Sequence, residues 1–238
     1  MYEAAAKGDI EALKKIPESE FHAQLSPKHN TILRIASEFG KIECMNWILD
    51  FPSSSSLLRC PNLNEDTPLH LAAREGHLKV VEALINAARK PTLDIETGPG
   101  PHKVMLRMKN KGKDTALHEA VRYGNCEVVK LLIKEDPDLV YGANDSGTTP
   151  LYMAAERGFT DLVEIIIDES KETGTSPPYI GFMGRTALHA AVICNDQGSM
   201  LIILMIMLSP HICRLKGKTP LFISFIYLIF FNFFSFIH

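Results

Sequence analysis

The three histidines His70, His118 and His189 are the side chains here best suited to metal binding or acid–base chemistry. Each stands three residues after a threonine (Thr67, Thr115, Thr186), so they mark a recurring position and do not converge on one point. Positions that recur along stacked units lie in separate layers, and the expectation is a structural imidazole tied to backbone or hydroxyl groups. The carboxylate pairs Glu135/Asp136 and Asp168/Glu169 could support general acid–base work. Both pairs close apolar helical runs, where solvent exposure is expected. Gly98-Pro99-Gly100 follows no strand and opens no helix, which argues against a dinucleotide loop. Gly217-Lys218-Thr219 matches the end of a phosphate loop, but Ile212 occupies the place of its first glycine. With no Ser/His/Asp or Cys/His set in view, the residues point to no catalytic, cofactor or metal site.

Charge narrows the partner classes. The formal net charge is −3, divided into −6 over residues 1–198 and +3 after them, where Arg214, Lys216 and Lys218 are the only charged residues. An acidic body argues against general nucleic-acid affinity. Lys103–Lys113 (KVMLRMKNKGK) is the one basic stretch, with five cations and no acid. It suits either a solvated projecting loop or a contact with acidic lipid, RNA or an import receptor. The five cysteines form no CxxC, which predicts reduced thiols in an intracellular protein. Met1–Ala6 runs straight into helix-forming sequence, so no secretory leader is expected.

The elements that carry these residues are set by one unit, clearest at Asp66–Ile85 (DTPLHLAAREGHLKVVEALI). Thr67 is suited to cap a helix and Pro68 to open it, since the first helical position needs no N–H. Leu69, Ala72 and Ala73 form a thin apolar stripe, Gly76 ends the helix, and Leu78, Val80, Val81, Leu84 and Ile85 form the wider face of a second helix. Further copies are Tyr2–Ile16, Asn30–Leu49, Asp114–Ile133 and Thr148–Ile167, with a sixth from Gly184 in which Asn195 replaces the turn glycine. Trp47 and Leu49 are expected on the buried side of the second copy. Thr31, Thr67, Thr115, Thr149, Thr186 and Thr219 recur at steps of 36, 48, 34, 37 and 33 residues. The longest step reads as a loop insertion at 86–112, and Pro52–Ser56 reads as another loop. Such helix pairs cannot bury their apolar faces alone and must stack on one another.

Thr-Pro-Leu-His-x-Ala-Ala, Gly-His and the following Val-Val-x-x-Leu-like run resemble the ankyrin repeat. The expected fold is all-α: an ankyrin-repeat solenoid of helix-turn-helix units over residues 1–198, followed by a hydrophobic C-terminal helix within residues 199–238. The resemblance implies a non-enzymatic module that binds other proteins through a concave face, with no cofactor. On this chain that face maps to Arg74, Glu75, Arg122, Tyr123, Glu156 and Arg157 before the turn glycines, and to Asn64, Glu65, Asn110, Lys111, Asn144 and Ser146 at the finger tips. For each residue the competing reading is a merely solubilising surface group.

The last forty residues depart from the unit. Met200–Leu208 is apolar all round, and Leu221–Ile237 carries no charge and seven of the twelve phenylalanines. Residues 219–237 suffice to cross a bilayer, and the flanking Arg214, Lys216 and Lys218 would keep the repeats cytosolic. Two other readings remain: unrelated sequence replacing further repeats, or a buried helix. YEAAAKGDIEALKKI, ALHEAVRYG, ANDSGTTPLYMAAERGFTDLV and GFMGRTALHAAVICND resemble plant ankyrin–transmembrane proteins of the accelerated-cell-death type over residues 1–196, in a truncated form. That resemblance implies defence and cell-death signalling at a membrane. The alternatives are a soluble, cytoplasmic, truncated paralogue that still binds proteins, and a nuclear adaptor using Lys103–Lys113.

Overall fold

The computed structural model describes residues 1–23, 25–90, 100–172 and 185–207. It divides into two units, Met1–Met200 and Leu201–His238, and of the second only residues 201–207 are described. The helices follow in pairs: α1 (Tyr2–Lys7) and α2 (Ile10–Leu13), α3 (Ile32–Glu38) and α4 (Ile42–Leu49), then the single turn α5 (Ser54–Leu57). The pair α6 (Pro68–Arg74) and α7 (Leu78–Ala88) comes next, then the short α8 (Pro101–Leu106). The pairs α9 (Ala116–Arg122) and α10 (Cys126–Glu135), α11 (Pro150–Glu156) and α12 (Thr160–Glu172), and α13 (Ala187–Ile193) and α14 (Gln197–Met207) complete the described chain. No strand occurs among the described residues.

First helices pack side by side in sequence order, α1 on α3, α3 on α6, α6 on α9, α9 on α11 and α11 on α13. Second helices form a parallel layer, α4 on α7, α7 on α10 and α10 on α12. The alanines explain the close first-helix layer: Ala36, Ala72, Ala73, Ala120, Ala154 and Ala155 are fully buried and let backbones approach. The second-helix layer is held by the branched residues at helical spacing, Val80, Val81, Leu84 and Ile85 on α7 and Val128, Val129, Leu132 and Ile133 on α10. Leu78, the first of the expected α7 face, is only half-buried. Each helix pair turns through a left-handed residue. At Gly76 φ is +75°, and a Cβ there would lie 2.6 Å from Asn125 Oδ1, so both the backbone and the neighbouring unit demand glycine. Asn195 adopts φ +54° in the same place, the conformation its side chain tolerates best after glycine.

Four expectations are corrected. The serine run is not a loop, because Ser54 and Leu57 of α5 are buried and Ser54 Oγ donates to the Leu49 carbonyl at 3.2 Å. The insertion is not all loop: α7 continues to Ala88, and α8 buries Met105 and Leu106. Trp47 is half-buried, edge-on to Phe21 and Phe51 with centroids at 5.5 and 5.0 Å. Asp136 does not face solvent but is 0% exposed, held by Arg107 at 2.5 Å with Lys103 at 3.9 Å. Its partner Glu135 pairs with Arg89 and is half-buried, whereas Asp168 is exposed. Residues 219–237 and most of the apolar tail lie outside the described residues. Among the described residues no helix is long and apolar enough to cross a membrane.

Candidate protein-binding face

The repeated threonine and histidine build the base of three units. Thr67 forms a capping box with His70, as Thr115 does with His118 and Thr186 with His189. His70 Nε2 lies 3.0 Å from the Asp114 carbonyl of the next unit, and His118 Nε2 lies 3.3 Å from the Thr148 carbonyl. A carbonyl only accepts, so Nε2 carries the hydrogen in both rings. Nδ1 is then free to accept, from the Thr67 N–H at 3.2 Å and its hydroxyl at 2.8 Å, and from Thr115 at 3.2 and 2.9 Å. Burial holds the His70 imidazole below its usual pKa and lowers that of His118 to about 4, outweighing the nearby Asp114 carboxylate. These two neutral rings join the first helices α6 and α9 to the finger that follows each. Tyr152 takes the histidine position in the fifth unit, with its N–H donating to Thr149 Oγ1 at 3.3 Å. Arg34 takes it in the second, buried, donating to the Cys60 and His29 carbonyls, with its pKa lowered by burial. The change leaves Thr31 Oγ1 and Arg34 Nε without partners.

Asparagines organise the fingers themselves. Asn62, Asn110 and Asn144 stand five residues before Thr67, Thr115 and Thr149. Each Oδ1 accepts from the N–H two and four residues ahead, at 2.9 and 2.9 Å for Asn62, 3.0 and 3.0 Å for Asn110, and 3.1 and 2.9 Å for Asn144. Each Nδ2 donates back one unit, to Asn30 Oδ1 at 3.0 Å, Asp66 Oδ1 at 3.0 Å and Asp114 Oδ1 at 2.8 Å. Backbone bonds tie adjacent tips, Leu63 N–H to the Lys28 carbonyl, Lys111 to Asn64 and Asp145 to Gly112 at 3.1, 2.9 and 2.9 Å.

Arginines close the lattice. Arg74 reaches Asp66 in its own unit at 3.3 Å and Glu119 in the next at 2.8 Å, and Arg122 pairs with Asp114 and Glu119, both at 2.6 Å. The residue after two of the turns also reaches back: His77 Nε2–H donates to the Glu38 carbonyl at 3.1 Å, and Asn125 Nδ2 to the Ala73 and Arg74 carbonyls at 2.8 and 2.9 Å. Both capture helix-end carbonyls that have no partner within their own helix.

The twelve positions mapped from the sequence therefore divide. Arg74, Arg122, Asn110 and Asn144 are partly buried and spent on internal bonds. Asn64, Glu65, Glu75, Lys111, Tyr123, Ser146, Glu156 and Arg157 are exposed. The register also shifts: Asn62, not Asn64, is the equivalent of Asn110 and Asn144, and Asn64 aligns with Gly112 and Ser146. Asn62, Asp66, Asp114 and Glu119 escaped the sequence reading, although the Asn at −5, the Asp at −1 and the Arg at +7 from Thr67 and Thr115 were there to be found. The basic stretch is partly matched by acids, Arg107 by Asp136 and Asp138, Lys103 by Asp136 and Lys113 by Asp145, while Lys109 and Lys111 are exposed without an acid partner among the described residues. Among the described residues no cluster of His, Cys, Asp and Glu could hold a metal ion.

Comparison with known proteins gives the family. The profile described as ankyrin repeats in three copies matches residues 1–97, 101–175 and 117–208. This chain belongs to the ankyrin-repeat family. It is similar to protein Accelerated Cell Death 6 of Arabidopsis thaliana, 31% identical over 171 residues, 68% of this chain and 24% of that protein. It is also similar to the putative E3 ubiquitin-protein ligase XBAT31 of Arabidopsis thaliana, 30% identical over 99 residues, 41% of this chain and 21% of that one. The chain spans less than a quarter of the length of these curated relatives. In three dimensions it matches an ankyrin repeat domain from Acinetobacter baumannii, with a TM-score of 0.67 and 22% identity over 86% of this chain and 95% of that one. The ankyrin repeat domain of Bcl-3 matches with a TM-score of 0.68 and 20% identity, over 86% and 84% of the two chains. At these identities the structures speak for the fold alone. Ankyrin repeat domains are generally non-catalytic and typically bind other proteins.

Proposed function

We propose that this chain is a protein-interaction module held at a membrane with its repeats on the cytosolic side, serving defence or cell-death signalling. The observation that carries the interaction reading is the division of labour among its polar residues. The buried asparagines, histidines and arginines are consumed in joining units, while Lys111, Tyr123, Ser146, Glu156 and Arg157 stay exposed along tips and first helices. A surface so held is rigid before it meets a partner, which reduces the ordering cost of binding. The membrane reading is supported by the uncharged residues 219–237 and their basic flank, and the signalling reading by the likeness to Accelerated Cell Death 6.

Carbonate washing of membranes from cells expressing the full chain tests the tether. Retention in the pellet is expected, and release into the supernatant favours a soluble binding module. Affinity capture with the full chain in mild detergent tests the interaction. A specific partner that is lost on joint substitution of Tyr123→Ala and Lys111→Glu is expected, and capture indifferent to both changes counts against this face.

A further inference from the structure

Resting on the protein-binding reading, the exposed first-helix face carries chemistry specific enough to describe its partner. Phe39, Glu75 and Tyr123 occupy one register position in three consecutive units, each directly before its turn glycine. Phe39 is 42% exposed and Tyr123 56%, large apolar surfaces left open while the cores beneath them are closed. Tyr2 meets Phe39 edge-on at 6.5 Å and is itself 40% exposed, so the first anchor is an aromatic pair fixed in place. Neighbouring helices lie about 10 Å apart, which puts the two aromatic anchors roughly 20 Å apart. An extended chain covers that distance in about six residues at ~3.3 Å each.

The net charge between the anchors is negative. Asp66, Asp114 and Glu119 surround Arg74 and Arg122 with side chains almost wholly shielded from water, leaving one carboxylate in excess over the guanidiniums. The exposed Glu75 adds another. In shielded surroundings this surplus is weakly screened. A cationic side chain over Glu75 would be attracted by its carboxylate and by that surplus.

We propose that the strip formed by Phe39, Glu75 and Tyr123 grips an extended segment of a partner protein carrying a Lys or Arg between two apolar side chains about six residues apart. The aromatic anchors take the apolar side chains and Glu75 takes the cation.

Selection of random dodecapeptides displayed on phage against the full chain in mild detergent tests this. The expected winners carry that pattern, and their affinity, read by fluorescence anisotropy, falls about tenfold or more with Glu75→Lys and with Tyr123→Ala. All three positions are solvent-exposed, so the variants should keep the wild-type circular dichroism. Replacing the cation of a winning peptide by Glu should restore binding to Glu75→Lys. Winners without a cation, or with unchanged affinity for both variants, overturn the proposal. Winners that are lost only with Lys111→Glu and Ser146→Arg also overturn it, while leaving protein binding at the fingers intact. No enrichment from a library containing the pattern overturns it as well, and the capture experiment then decides the broader reading separately.

Discussion

Replacing His118 by alanine removes the ring that joins the fourth unit to the fifth. Three hydrogen bonds go with it, to the Thr115 N–H, the Thr115 hydroxyl and the Thr148 carbonyl. At roughly 1 kcal/mol each, with the buried Thr115 N–H left unpaired and a ring-sized void in a fully buried position, the loss is about 3–4 kcal/mol. The Thr148 carbonyl keeps its bond from the Asn144 N–H, which stops the cost from rising further. His189 holds the same repeat position and makes the same Thr186 box, but in an exposed setting. Water can replace its bonds, so His189→Ala should cost less than about 1 kcal/mol. Urea unfolding of the full chain, followed by far-ultraviolet circular dichroism, reads the difference. With a slope near 2 kcal/mol per molar, His118→Ala should lower the midpoint by about 1.5–2 M and His189→Ala by under ~0.5 M. Equal shifts for the two would refute the argument, because they would mean that the motif acts locally and the joint to the next unit is worth nothing.

Further outcomes follow from the same geometry. The His118 pKa of about 4 lies below the ordinary 6.5 of an unfolded chain, so its contribution is complete above that value and is lost as pH falls from about 6.5 toward 4. His70 acts in the same direction; urea midpoints that stay level between about pH 7.5 and 4.5 would contradict this. Gly76→Ala should cost about 2 kcal/mol or more, since φ is +75° and its Cβ would press on Asn125. Gly158→Ala, with φ +67° and open space, should cost only about 1 kcal/mol in thermal unfolding. Asp136→Ala should lose about 2 kcal/mol, the two charge-assisted bonds that Arg107 gives to a fully buried carboxylate, while Arg107 stays exposed and paired with Asp138; Asp138→Ala, at an exposed carboxylate, should fall within ~0.5 kcal/mol in the same assay.

The architecture was legible because its determinants are local and repeated. A capping threonine, a proline at the first helical position, a run of alanines and a turn glycine recur near a fixed spacing, and the stack follows from the surface they cannot bury alone. Asn195 could be read as a glycine substitute for the same reason. What stayed hidden depends on neighbours from other units. Asp136 looks like a solvated helix end until α8 brings Arg107 over it. Arg74 and Arg122 look like free surface cations until Glu119 is placed between them. Asn64 looks like a finger residue in the sequence, but the −5 spacing from Thr67 and the hydrogen bond from Asn62 to Asn30 give the wired position to Asn62. Of the twelve positions mapped to the face, Arg74, Arg122, Asn110 and Asn144 are therefore already engaged inside the fold.

Site-specific photo-crosslinking in cells expressing the full chain tests the central claim most directly. A benzophenone side chain placed at Tyr123 or Lys111 should give discrete protein adducts, and one placed at Lys130 or Glu164, exposed on second helices, should not. Adducts arising only from Lys130 and Glu164 would contradict the account, because the binding surface would then lie on the opposite layer from the one the wired fingers and first helices present.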